Sequence, residues 1–93
     1  MYKAAFTKEF LKILKKIKKK DIATFERLES KIREILSQPL RYKPLKGELK
    51  GLRRAHVRLF VVVFKVEGDT VVFVSFKHHD KSYSAGMQSL KKP

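Results

Sequence analysis

Apolar residues along this chain follow two patterns in succession. Phe6, Phe10, Ile13, Leu14 and Ile17 recur at helical spacing and form one stripe. Thr7 stands where it can cap that helix, and Glu9 suits its first turn. Lys15, Lys16, Lys18, Lys19 and Lys20 crowd its end, where the helix dipole favours cations. A second stripe runs through Phe25, Leu28, Ile32, Ile35 and Leu36, with Asp21 as its cap and Pro39 stopping it. Glu29 is placed to pair with Arg33 one turn on. Two helices with so short a joint predict an antiparallel hairpin over about residues 7–37. Tyr2 to Phe6 ahead of it reads as a short strand.

The second pattern is β-like. Leu52 to Val57 is a candidate strand, and Leu59 to Val66 and Val71 to Lys77 are nearly all apolar. Glu67-Gly68-Asp69-Thr70 between the last two signals a tight hairpin. Strands apolar on both faces belong in the middle of a sheet covered on both sides. The helical hairpin can cover one side, which leaves the other for a further segment or a partner. The expected order is β-α-α-β-β-β: an α+β fold with a helical hairpin packed on one face of a small, mainly antiparallel, twisted sheet. The sheet is expected over about residues 49–79, and residues 84–93 read as a short tail with weak helical character.

Length allows one domain, residues 1–93. Charge changes the picture more. Twenty-three Lys and Arg face nine Asp and Glu, a net +14. Such an excess repels itself and attracts polyanions, so nucleic acid leads the partner classes, ahead of an acidic protein and an anionic membrane surface. Four of the acids, Asp21, Glu26, Glu29 and Glu34, belong to the second helix, whereas Arg41 to Arg58 holds seven cations and one acid, Glu48. The ligand-attracting surface is therefore expected on the C-terminal half, joined by the lysine-rich end of the first helix. No cysteine is present, which excludes disulfides and thiol chemistry. The first stretch, broken by lysines, lacks a signal-peptide pattern, and the longest apolar run, Leu59 to Phe64, is too short to span a bilayer. A soluble, cytoplasmic protein without a membrane partner is expected.

Two constellations carry chemistry. Along a strand, Arg54, His56 and Arg58 would point one way and Ala55 and Val57 the other, giving three cationic or near-cationic groups at roughly 6–7 Å, close to a phosphate repeat. A solvated edge strand is the plain alternative. Lys77-His78-His79-Asp80, with Tyr83 beyond, follows an apolar strand directly. Adjacent histidines would face opposite ways, so one is expected to serve a site and the other to pack. His56, His78, His79 and Asp80 are zinc-ligand types, but their spacing fits no standard zinc pattern, so no metal and no cofactor are expected. Carboxylates are too few and scattered for a two-metal nuclease. Phosphodiester cleavage here would need no metal. That selects RNA, whose 2′-hydroxyl is a built-in nucleophile.

The element order, the segment PLKGEL, the basic strand LRRAHVR, the hairpin VVVFKVEGDTVVFVSF and the terminal HHDKSY together resemble the RelE/ParE toxin superfamily, over nearly the whole chain. The C-terminal run is its most specific part and looks like RelE branches of archaea. The resemblance implies a toxin of a type II toxin–antitoxin pair, held silent by a small acidic or mixed-charge antitoxin. It implies metal-free cleavage of messenger RNA at the ribosome, leaving a 2′,3′-cyclic phosphate. By position, the catalytic set would be His79 as acid or base, Arg54 and Arg58 as phosphate clamps, and Tyr83 stacking on a base or relaying a proton. The RNA-binding set would be Lys46, Lys50, Arg53, His56, Lys77, His78 and Lys81. One departure stands out: many relatives carry an arginine after the aromatic that starts the long strand, where this chain has Val61 after Phe60. ParE-like members of the same fold act on DNA gyrase without cutting RNA, so a gyrase-binding toxin, or a binding module that has lost catalysis, is the other reading.

Overall fold

The computed structural model describes residues 1–45, 47 and 51–78. Strand β1 (Lys3–Phe6) leads into helix α1 (Lys8–Lys20) and helix α2 (Ile22–Ser37). A short 3-10 turn (Pro39–Arg41) follows, then strands β2 (Arg53–Val57), β3 (Phe60–Glu67) and β4 (Thr70–His78). The strands form one sheet in the order β1-β4-β3-β2. β2–β3 and β3–β4 are antiparallel, and β1 lies parallel to β4, so the sheet is mixed. The tail expected at 84–93 lies outside the described residues.

Both caps form where the sequence put them. Thr7 Oγ1 accepts from the Phe10 backbone N–H at 3.1 Å and donates to the Val74 carbonyl at 2.8 Å, so one hydroxyl starts α1 and ties it to β4. Asp21 Oδ1 accepts from the Thr24 N–H at 3.1 Å, and Thr24 Oγ1 donates to Asp21 Oδ2 at 2.6 Å. These bonds, chiefly from Thr24, hold the Asp21 carboxyl below its ordinary pKa. The expected Glu29–Arg33 pair gives way to two other contacts: Arg33 donates to Ser30 at 3.4 Å, and Lys31 pairs with Glu34 at 3.3 Å.

The core lies between the helical hairpin and one face of the sheet. Phe10, Leu28, Ile32 and Ile35 from the helices meet Ala55, Val57, Val62, Phe64, Val71, Phe73 and Phe76 from the strands. Phe6, Phe10 and Phe64 surround Phe73, with ring centroids 5.3, 5.6 and 6.1 Å from it. Phe73 and Phe76 are three residues apart, so strict alternation would send them to opposite faces. A bulge resolves this: the register shifts between Val63 and Phe64, pairing Val63 with Ser75 and Phe64 with Phe73, and Val74 is the extra residue. Gly68, at φ +61, opens the β3–β4 turn in the left-handed region that glycine enters without penalty.

Thr7→Ala removes both the α1 cap and its bond to β4. A loss of about 1–2 kcal/mol of stability is expected, measured by urea unfolding with an unchanged m-value.

Candidate nucleic-acid interface

The sheet face turned away from the helices gathers cations around an apolar floor. His56 pairs with Val61, and Val61 with Lys77, in one row across the sheet; Arg54, Val63 and Ser75 make the next. Arg54 and His56 therefore share that face, about 6.5–7 Å apart along β2. Lys77 stands two strands from His56, about 10 Å away, and its Nζ leans to Glu9 at 4.0 Å. Val61 is only 3 % exposed yet is not part of the core cluster. It lies mid-row, so Val61, where the family resemblance leads one to expect an arginine, faces this surface. Lys65 shares the face but pairs with Glu67 at 2.9 Å, toward the far hairpin.

β2 is an edge strand, and its outer flank is concave. A pocket of about 460 Å³ is lined by Lys43, Pro44, Leu45, Arg54 and His56. Its wall is held by the Pro44–Arg53 bridge and by the Leu45 N–H, which donates to the Leu52 carbonyl at 2.8 Å. Lys43 was missed by the sequence reading; no periodicity marks it, and only the return of the chain onto β2 brings it beside Arg54.

Not every expected residue joins this surface. Arg53 pairs with Phe64, a core residue, so it faces the helices; its guanidinium donates to the Tyr42 carbonyl. Tyr42 Oη in turn donates to Glu34 Oε1 at 3.1 Å. Arg53 thus fastens the 42–45 segment to β2 and α2 rather than presenting a charge beside Arg54. The strand alternation assumed for Arg58 stops at Val57. Arg58 and Leu59 form the two-residue turn into β3, and Arg58 has φ +55, a conformation costing a non-glycine residue roughly 1–2 kcal/mol. Its charge reaches the helix side, where it helps lower the Asp21 pKa, and it lines a groove of about 600 Å³ against α2 with His56, Glu26 and Lys31. His56 borders both concavities and so stands between Arg54 and Arg58. His78 pairs with Phe60 and meets its ring edge-on at 5.4 Å, on the helix side of the sheet. Lys46, Lys50, His79, Lys81 and Tyr83 lie outside the described residues.

Comparison with known proteins agrees with this architecture. A family model described as the ParE toxin of the type II toxin–antitoxin system parDE matches residues 4–83. A Methanocaldococcus jannaschii protein that carries the name RelE4 is 37 % identical over 86 residues, covering 89 % of this chain and 92 % of its own. Among solved structures, a YoeB/ParE toxin from Agrobacterium tumefaciens superimposes with a TM-score of 0.74 at 18 % identity, covering 83 % of this chain and 98 % of that one. The toxin–antitoxin complex RelBE2 from Mycobacterium tuberculosis gives 0.73 at 23 %, over 83 % and 96 %. At these identities the structures speak for the fold. The chain belongs to the RelE/ParE superfamily: it is a toxin of the type II toxin–antitoxin class.

The Glu34–Tyr42 bond is testable by titration. Glu34 sits below its ordinary pKa of 4.5, first because Tyr42 and then Lys31 bond its charged form. A lowered carboxyl contributes stability above its ordinary pKa and loses it as pH falls through the folded value. In Tyr42→Phe the Glu34 pKa should rise toward 4.5, read by NMR titration, and the acid limb of the stability curve should flatten.

Proposed function

We propose that this toxin cuts messenger RNA by metal-free transesterification, and that an acidic or mixed-charge antitoxin silences it. One observation carries the reading: Arg54 and His56 stand together on the open sheet face, beside a pocket that also presents Lys43. A guanidinium and an imidazole at this spacing suit consecutive phosphates, and half-buried Val63 beside Arg54 suits a ribose or base. In the proposed reaction a base takes the proton of the 2′-hydroxyl. The 2′-oxygen bonds to phosphorus, the bond from phosphorus to the 5′-oxygen breaks, and an acid protonates the departing oxygen. The products are a 2′,3′-cyclic phosphate and a 5′-hydroxyl. His79 is the proposed acid or base, Arg54 the clamp on the phosphorane, and Tyr83 the stacking or relay group. Arg58 is a second clamp reached across His56; its left-handed backbone is the kind of outlier that functional positions carry. Lys46, Lys50, His56, Lys77 and Lys81 would steer the strand. Arg53 and His78 support it from the helix side.

An antitoxin partner fits both the family and the net +14, which an acidic chain would neutralise. The structural neighbours include toxin–antitoxin complexes, RelBE2 of Mycobacterium tuberculosis and RelBE of E. coli. The messenger RNA would be met in the cytoplasm, at the ribosome.

A second reading has its own support. The matching family model is that of the ParE toxin, and Val61, not the arginine that the RelE resemblance leads one to expect, stands mid-row on this face. On that reading the surface binds gyrase and cuts nothing.

Ribosomes programmed with messenger RNA and incubated with the chain in EDTA separate the two. Cleavage to ends bearing a 2′,3′-cyclic phosphate is expected, with Arg54→Ala and His79→Ala each slower by about a hundredfold or more. Uncut message, with growth arrest that survives His79→Ala and DNA-damage signalling in its place, would establish the gyrase reading.

A further inference from the structure

The outer face of α1 carries a second concentration of charge, remote from the site. Lys8, Lys12, Lys15 and Lys19 are all exposed and fall at i, i+4, i+7 and i+11. At 100° per residue they form one straight row, opposite the buried stripe of Phe10, Ile13, Leu14 and Ile17. The row is about 16 Å long at 1.5 Å per residue. Lys16 lies alongside it. α1 packs its inner side on the core face of the sheet, so this row looks away from Arg54 and His56.

Folding gives a reason only for the last member of the row, Lys19. Lys18, Lys19 and Lys20 sit in the last turn, where the dipole welcomes them, and Lys18 also lies over the Phe25 ring at 5.6 Å. Lys8 is the first residue of the helix, where the same dipole disfavours a cation. Like charges one turn apart repel. Glu9, the helix's one acid, turns to Lys77 at 4.0 Å. Among the described residues none of Lys8, Lys12, Lys15 and Lys19 forms an ion pair. α2 shows that solubility does not demand this: its outer face interleaves Glu26, Arg27, Glu29, Lys31, Arg33 and Glu34.

We propose that the lysine row of α1 is a docking surface for the phosphate backbone of double-helical RNA. A rigid line of point charges suits a regular backbone. The row offers no aromatic ring, and single-strand binding relies on stacking bases against such rings. The choice of RNA over DNA rests on the proposed function. One molecule would then hold a folded RNA on its helix side while its sheet side takes the strand to be cut.

The test uses the full chain and a duplex of 2′-O-methyl RNA, which has no 2′-hydroxyl and cannot be cleaved, so binding is read independently of any nuclease activity. The quadruple variant K8Q/K12Q/K15Q/K19Q should bind at least tenfold more weakly in about 0.1 M salt. Its plot of log affinity against log salt should be shallower by about 3–4. The pair K8Q/K12Q should give about half that change. On α2, R27Q/K31Q/R33Q should change the slope by less than about 1. Because the quadruple variant removes repulsion, its melting temperature at low salt should equal or exceed that of the parent chain. An unchanged slope in the quadruple variant overturns the proposal. So does an equal effect from the α2 variant, which would reduce the surface to net charge, or an equal loss on a single-stranded 2′-O-methyl oligomer. A loss confined to vesicles containing phosphatidylserine, or to an acidic partner protein, would likewise assign the row elsewhere.

Discussion

The packing of Phe10 and Phe6 onto Phe73 and Phe64 joins the hairpin to the sheet, and the remaining features depend on it. Phe10, Phe64 and Phe73 are fully buried. Each such ring contributes roughly 1.5–3 kcal/mol by burial, and each favourable ring pair about 0.5–1.5 kcal/mol more. A domain of this size has only about 5–15 kcal/mol of net stability, so truncating one of these rings, at about 3–5 kcal/mol, would remove a large share of it. Without it α1 would be a short helix of mostly like charges, which water alone does not stabilise.

Burying one face of each element decides where the charge goes. With apolar residues turned inward, cations among the described residues gather on two outer surfaces besides the mixed-sign face of α2. One is the sheet face away from the helices, with Arg54 and Lys77; the other is the back of α1. Each of these two surfaces suits a polyanion. On the proposed function, a toxin that met nucleic acid when active and an acidic antitoxin when stored would gain from that arrangement in both states.

The site is positioned by its supports. Glu34 on α2 accepts from Tyr42, the Tyr42 carbonyl accepts from Arg53, and the Pro44–Arg53 bridge then sets Lys43 beside Arg54. Arg53 and Arg54 are chemically alike and adjacent, yet one is part of the scaffold and the other of the binding surface. Only the pleat of β2 against the core separates them.

What the sequence determined by itself is whatever depends on near neighbours along the chain. The 3.6-residue spacing marked both helices, Thr7 and Asp21 marked their starts, and Gly68-Asp69 marked the hairpin, because these are set by contacts within a few residues. The terminal HHDKSY with its preceding hairpin marked the family. The tertiary structure alone decided the rest. It made β1 parallel to β4, inserted Val74 as a bulge so that Phe73 and Phe76 could share one core, and turned the chain at Arg58-Leu59 with no glycine present. It also set Arg53 inward and Lys43 outward. Those outcomes follow from which partner strand or helix arrives opposite a residue, and that is fixed by packing between distant segments rather than by any local preference.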